Sequence, residues 1–237
     1  MVLDLKPGDR IVVLSPHLDD AALSLGAAIA AWTRAGAEVR VLTVLAGRAG
    51  AGAPAGPWDS ASGFGTEGEA ATARRHEDRA ACAILGARPI WLDYADSQYD
   101  RGADDEEIWA AVLAAAEGAT VVLAPGFPLL HPDHEWLGLL AVARREPAWR
   151  LGVYVEQPYA IGSGRPRDHR DRIGVDLEFA GLRAPWTARR RKRRALLAYR
   201  SQHAQLAGVV FGSWRDLQRR IDGLERHRGD EGVAWLG

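Results

Sequence analysis

The stretch "SPHLDD" places three ionisable side chains within four positions: His17, Asp19 and Asp20. Because the apolar run "IVVL" precedes it, these groups stand at the end of a buried element, where loss of hydration is costly for charged groups. Such crowding is typical either of a solvent-facing turn or of a functional site. His17 and Asp20 are spaced i,i+3, as are neighbours on one side of a helical turn.

A second stretch, "HPDH", also follows an apolar run and places His131 and His134 at the same i,i+3 spacing. Pro132 suits the first turn of a helix, where its missing N–H has no partner to lose. A helix N-terminus disfavours imidazolium, so both histidines are expected to be neutral and able to bind a metal or form hydrogen bonds.

The two stretches meet if both follow neighbouring strands of a parallel sheet. His17, Asp20 and His134 then converge as two imidazoles and one carboxylate, which leaves an open position for water, as in catalytic zinc sites. Zn²⁺ suits this set of nitrogen and oxygen ligands, and Fe²⁺, Co²⁺ or Ni²⁺ can occupy the same set.

The remaining polar groups of the two stretches have roles in such a site. Asp19 is the natural base for a metal-bound water, whose pKa the metal lowers to about 7. His131 would face a substrate carbonyl and either stabilise the oxyanion or protonate a leaving amine. Asp133 would support the site by accepting a hydrogen bond from an imidazole and setting its tautomer.

The elements that must position these residues alternate between apolar, β-branched runs and segments of helical spacing. This alternation predicts an α/β fold: a Rossmann-like three-layer sandwich with a mainly parallel sheet and its active site at the carboxyl ends of the strands. The predicted strands cover residues 11–15, 38–45, 89–93, 120–124 and 150–157, with one more near 173–179.

The segment 46–68 has no periodicity, is rich in Gly, Ala, Pro and Ser, and follows the second predicted strand. A loop of this length inside a compact domain is typical of a flexible lid over an active site. Since we find no linker or internal repeat, we expect residues 1–237 to form a single domain.

Composition narrows the classes of partner. The net charge is −1 and 47% of residues are hydrophobic, so no overall field attracts nucleic acid or a membrane surface. The single cysteine, Cys82, lies in a small apolar run, which indicates a buried thiol in a reducing compartment. The N-terminus shows no signal segment, and we expect a cytoplasmic protein.

The run "ARRRKRR" near the C-terminus is strongly basic. Trp186, Leu196, Leu197 and Tyr199 recur around it at helical intervals, so we interpret the arginines as the solvated face of an amphipathic helix.

The stretch "SPHLDDAALSLG", taken with "HPDH", resembles the PIG-L/LmbE-like family of zinc-dependent N-acetylglucosaminyl deacetylases. The family motifs are typically (P/A)-H-P-D-D-E and H-x-D-H. The segments "RRHEDRAACAILGA", "DYADSQY" and "RALLAYRSQ" resemble further family motifs in the same order, so the resemblance extends over most of the chain.

The resemblance implies a hydrolase that removes an N-acetyl or short N-acyl group from a glucosamine-containing glycoconjugate through a metal-bound water. By this resemblance, His17, Asp20 and His134 match the metal ligands. Asp19 matches the general base and His131 the histidine that polarises the substrate carbonyl. The implied partner is a small N-acetylated sugar or glycoconjugate.

Two further positions and three departures follow from the same resemblance. Arg74 and Asp96 match positions that contact the sugar or each other near the pocket. Leu18 replaces the usual Pro, Ala21 replaces the Glu after the paired aspartates, and Leu129 stands where some members carry a Tyr. Any hydrogen bonds that the family Glu provides must here come from other residues or be absent.

Two alternatives remain open at this point. The same metal chemistry suits an amidase acting on a thiol conjugate or a non-sugar N-acyl compound. Trp58, Trp91 and Trp136 are candidate aromatic platforms for a sugar ring or for a larger aglycone. The second alternative is a binding module in which "ARRRKRR" recognises nucleic acid or another anionic partner. Its binding affinity would fall steeply as the salt concentration rises.

Overall fold

A computed structural model of the chain describes residues 8–160, 173, 179–210, 215 and 231–236. Within these residues, seven strands form one sheet: β1 (Arg10–Ser15), β2 (Glu38–Thr43), β3 (Arg88–Trp91), β4 (Val121–Phe127), β5 (Arg150–Val155), β6 (Ala180–Gly181) and β7 (Gly232–Trp235). The α-helices are α1 (Asp20–Arg34), α2 (Pro57–Ala61), α3 (Glu67–Leu85), α4 (Asp105–Ala115), α5 (Pro132–Ala143), α6 (Trp186–Leu196) and α7 (His203–Val210).

The sheet has the order β3-β2-β1-β4-β5-β7-β6, and its first five strands are parallel. Strand β7 runs antiparallel to both β5 and β6. The first five strands agree closely with the predicted ones. Of the strand predicted near 173–179, residues 174–178 lie outside the described residues, Ile173 is helical and Phe179 lies outside any strand.

Apolar side chains bury both faces of the sheet. Strands β1, β2 and β4 are almost wholly buried, as is usual for parallel strands that helices cover on both sides. Helices α1, α3 and α6 pack on one face, and α4 and α5 cover the other. The three-layer prediction is confirmed. None of the helices within the described residues is long and apolar enough to span a membrane.

The strand order brings the two histidine-rich turns together. From β1 the chain proceeds outward through β2 to β3 and then crosses back, so that β4 pairs with the other side of β1. Between two such strands the connections leave in opposite directions and a crevice opens at their carboxyl ends. His17 follows β1 and His131 follows β4 at this crevice.

The segment 46–68 contains the short helix α2 and enters α3 at Glu67. Gln98 holds the start of α2, since its Oε1 accepts hydrogen bonds from the backbone N–H groups of Trp58 and Asp59. The indole N–H of Trp58 donates to Oε1 of Gln202 at 2.9 Å. The segment 46–68 thus packs against the loop after β3 and the turn before α7, whereas its mobility stays a prediction.

Helix α6 differs in part from its predicted packing. Leu196 and Tyr199 are buried as expected, but Trp186 is 59% and Leu197 49% exposed. Lys192, expected on the solvated face, is instead buried, and its Nζ lies 2.7 Å from Oε1 of Glu231. This acidic partner lies 39 residues away in sequence, beside β7, so helical periodicity had no means of indicating it.

Candidate active site

Three predicted ligand atoms form a nearly equilateral triangle where β1 and β4 end. Nδ1 of His17 lies 3.2 Å from Oδ2 of Asp20, and Nε2 of His134 lies 3.2 Å from the same oxygen. The two nitrogens are 3.3 Å apart. The structure therefore brings together the three residues that the sequence singled out as ligands.

This triangle has the size that a tetrahedral metal ion requires. Zinc bonds of about 2.0–2.2 Å at tetrahedral angles separate the ligand atoms by about 3.3–3.5 Å. Ring nitrogens of His17, His131 and His134 also lie within 4.8 Å of one another. The set that includes Asp20 fits better, because it is tighter and because Nδ1 of His131 accepts a hydrogen bond from the backbone N–H of Asp133.

A buried carboxylate holds each of the two candidate histidine ligands. Nε2 of His17 lies 3.1 Å from Oδ2 of Asp133, and Nδ1 of His134 lies 2.5 Å from Oε1 of Glu156. Each carboxylate accepts the N–H of one ring nitrogen, so in the neutral ring the lone pair of the other nitrogen faces the triangle. The predicted supporting role of Asp133 thus agrees with its contact, whereas Glu156 is an addition from the structure.

Asp133 and Glu156 provide carboxylates near the site, although Ala21 stands where the family has a Glu. Arg101 lies 2.8 Å from Oδ1 of Asp133, which fixes that carboxylate from its other side. The backbone N–H of Leu129 donates to Oε2 of Glu156 at 2.8 Å. Both histidine ligands therefore have an acidic partner without a carboxylate at position 21.

His131 caps helix α5 and remains beside the triangle. Since its Nδ1 accepts the N–H of Asp133, the neutral ring carries its proton on Nε2. Burial and the nearby His17 and His134 lower the pKa of His131 to about 4. The ring is thus a neutral hydrogen-bond donor at neutral pH, which suits the role predicted for it.

Asp19 is the N-cap residue of α1, yet its side chain makes no capping hydrogen bond. Its carboxylate is therefore not occupied by the helix end. Burial and the adjacent charge of Asp20 raise the pKa of Asp19 to about 7. A general base works best when its pKa lies near the operating pH.

The pKa values of two candidate ligands, His134 and Asp20, are shifted in opposite directions. Burial lowers the pKa of His134, but Asp20 and Glu156 outweigh this effect and raise it to about 9. Burial raises the pKa of Asp20, whereas the two histidines hold it well below its usual value. A proton and a metal ion would therefore compete for the same atoms.

Arg74 and Asp96, the two predicted substrate contacts, both line the pocket that opens onto His17 and Asp19. Each of them also has a partner within the protein. The guanidinium of Arg74 lies 2.5 Å from Oδ1 of Asp59, and Asp96 accepts hydrogen bonds from Gln98. Contact of Arg74 and Asp96 with a sugar stays a prediction.

Two residues near the triangle were missed by sequence reasoning. Glu156 directly follows β5 in the structure, whereas the predicted strand 150–157 included it; the available signal was a carboxylate near the end of an apolar run. Tyr159 lines the pocket, with its ring centroid 5.1 Å from that of His134 and 6.5 Å from that of His131. Of the three candidate tryptophans, Trp58 lines the pocket, whereas the rings of Trp91 and Trp136 lie against arginines.

Solved structures similar to this chain include two deacetylases. The A40926 pseudoaglycone deacetylase Dbv21 superposes with a TM-score of 0.77 at 30% identity, with 95% of this chain and 96% of that chain covered. The zinc-inhibited form of the teicoplanin deacetylase Orf2 gives a TM-score of 0.78 at 25% identity, with coverage of 95% and 97%.

A curated relative is the diacetylchitobiose deacetylase of Thermococcus kodakarensis, which is 28% identical over 137 residues. The matched part is 56% of this chain and 48% of the relative, so the chain spans about half the length of the curated relative it matches.

The family model described as PIG-L, GlcNAc-PI de-N-acetylase, matches residues 12–144. This range includes both histidine-rich turns and more than half of the chain, and we conclude that the chain belongs to the PIG-L family.

Proposed function

We propose that this chain is a metal-dependent N-deacetylase that hydrolyses the amide of an N-acetylated, glucosamine-containing glycoconjugate. The observation that carries the proposal is the triangle of His17, Asp20 and His134. Beside it lies the carboxylate of Asp19, whose pKa of about 7 suits a general base at neutral pH. Family membership and the named activities of the similar deacetylases support the same reaction class.

His17, Asp20 and His134 would hold the metal ion, and Zn²⁺ suits their nitrogen and oxygen atoms. A divalent metal bound there supplies Lewis-acid chemistry, because it lowers the pKa of a coordinated water to about 7 and polarises a carbonyl. The three protein ligands leave room for further ligands, as in catalytic sites.

The two side chains beside the triangle have different roles: Asp19 transfers the proton and His131 stabilises negative charge. Asp19 accepts a proton from the attacking water, while Nε2–H of His131 donates a hydrogen bond to the carbonyl oxygen as negative charge develops there. The C–N bond then breaks, and the proton held by Asp19 passes to the leaving nitrogen. The products are acetate, or another short carboxylate, and a free amino sugar.

The pocket next to the triangle would hold the sugar. Arg74, Asp96 and Trp58 line it, and they combine a cation, an acceptor and an aromatic surface. We propose that Arg74 and Asp96 contact the substrate and that the segment 46–68 covers it, with Trp58 as a platform for the sugar ring.

The test is to load the protein with Zn²⁺ and measure primary amine released from a panel of N-acetylated sugars, glycoconjugates and non-sugar N-acyl compounds. Asp19→Asn is expected to retain zinc and lose roughly 10²–10⁴-fold in kcat. His134→Ala is expected to lose zinc and activity together, whereas Glu117→Gln, at an exposed position in the turn before β4, should match the wild type.

Each outcome of this panel has a distinct meaning. Full activity of the metal-free protein would contradict the metal-dependent mechanism. Release of amine from thiol conjugates or non-sugar amides alone would keep the chemistry and reject the sugar substrate.

A further inference from the structure

Glu156 contacts two parts of the candidate site with its two carboxylate oxygens. Oε1 lies 2.5 Å from Nδ1 of His134, and Oε2 accepts the backbone N–H of Leu129 at 2.8 Å. The residue is 1% exposed. A buried carboxylate is costly unless its oxygens are satisfied by hydrogen bonds, and here each oxygen has one donor.

The contact with His134 fixes which ring nitrogen carries the proton. Because a carboxylate only accepts hydrogen bonds, Nδ1 must be the donor. In the neutral ring that can bind a metal, Nε2 then carries the lone pair and faces Oδ2 of Asp20 and Nδ1 of His17, the other two corners of the triangle. Without this acceptor, the neutral ring is free to place its proton on Nε2.

The contact with Leu129 supports an unusual turn. Leu129 has a φ of +57°, and among the described residues it is the only non-glycine residue with a positive φ. The left-handed region is unfavourable for a non-glycine residue, so the surroundings must hold Leu129 there. The same turn leads two residues later to His131.

We propose that Glu156 is a positioning residue that sets the tautomer of His134 and the backbone turn before His131 with one side chain. The inference rests on the metal site of the proposed function. It assigns to Glu156 a role toward the metal that does not require contact with the substrate.

Glu156→Gln separates these roles from simple packing, because the two side chains have nearly the same shape. A carboxamide offers one acceptor oxygen and one NH₂ group, whereas two N–H donors converge on this side chain. If the NH₂ group faces His134, Nδ1 must accept and the proton moves to Nε2. If it faces Leu129, two donors oppose each other.

The experiment measures Zn²⁺ affinity of the metal-free proteins by competition with a chelator, without any substrate. Glu156→Gln should weaken Zn²⁺ binding about 10- to 100-fold, the usual effect of losing the hydrogen-bond partner of a metal ligand. Glu117→Gln, an equal change of charge at an exposed position, should leave the affinity unchanged. In the zinc-loaded wild type, Nδ1–H of His134 should give a downfield proton NMR signal that Glu156→Gln loses or shifts upfield, because an amide oxygen is a weaker acceptor than a carboxylate.

A folded Glu156→Gln variant with wild-type zinc affinity would overturn the inference. If that variant does not fold, Glu156→Asp replaces it, since Asp keeps both acceptor oxygens but withdraws them by one methylene. Weaker zinc binding by Glu156→Asp would support the inference, and unchanged binding would overturn it. An inactive wild type that binds zinc tightly would contradict the proposed function and leave this inference standing.

Discussion

Oδ2 of Asp133 lies 3.1 Å from Nε2 of His17, although the two residues are 116 positions apart. The helix start that carries His131 and His134 therefore also holds the histidine that follows β1. Asp133 is 1% exposed and accepts two more donors, the backbone N–H of Ser97 and the guanidinium of Arg101.

This relationship predicts that Asp133→Asn weakens Zn²⁺ binding by about 10- to 100-fold. An Asn side chain replaces one of the two acceptor oxygens with an NH₂ group, while all three neighbours remain donors. Zinc affinity is measured by chelator competition, with Asp105→Asn as the control at a carboxylate that bonds the indole of Trp136. Equal affinities of Asp133→Asn and wild type would show that Asp133 does not orient His17.

The pKa of His134 predicts how zinc binding depends on pH. Since Asp20 and Glu156 raise this pKa to about 9 in the metal-free protein, His134 carries a second proton at neutral pH. Zinc must displace that proton, so the apparent affinity should rise as the pH increases from neutral toward pH 9. Calorimetry in buffers of different ionisation enthalpy measures the protons released, and release of none at neutral pH would contradict the prediction.

Asp78 predicts a pH-dependent stability remote from the metal ligands. It is fully buried, and it accepts hydrogen bonds from the indole of Trp91 and the hydroxyl of Tyr199, each at 2.7 Å. Burial raises its pKa to about 6. Between about pH 4 and pH 6 the native state thus holds a proton that the unfolded state has lost, and stability falls as pH rises through this range.

Asp78→Asn removes this titration. Its free energy of unfolding relative to wild type should increase by roughly 3 kcal/mol between about pH 4 and pH 7, because two pKa units correspond to about that energy. Urea unfolding of both proteins at several pH values provides the measurement. A constant difference across that range would show that the Asp78 carboxyl titrates normally.

The ion pair between Arg74 and Asp59 predicts strong energetic coupling. The Asp59 side chain is 2% and the Arg74 side chain 13% exposed, and Asp59 also accepts the hydroxyl of Tyr99 at 2.6 Å. Asp59→Ala leaves a nearly buried cation without its partner and should cost about 3 kcal/mol of unfolding free energy.

A double-mutant cycle with Arg74→Ala tests this coupling by urea unfolding. Loss of both partners should cost clearly less than the sum of the single losses. The exposed pair of Glu106 and Arg144 serves as the matched control and should show much weaker coupling. Additive effects of Asp59→Ala and Arg74→Ala would contradict the prediction.

The sequence by itself determined the features that depend on local order along the chain. The apolar runs indicated the parallel strands, and the i,i+3 spacing of His17 with Asp20 and of His131 with His134 indicated a site at two strand ends. These signals are local, because strand burial and helical spacing depend on residues only a few positions apart.

Only the tertiary structure decided which distant groups stand behind the site. Glu156 reaches His134 because β5 lies beside β4, and Asp133 reaches His17 because β4 lies beside β1. Strand order brings these carboxylates to their histidines, and no spacing along the chain encodes that order. In the same way, Lys192 is buried because Glu231 meets it from another part of the chain.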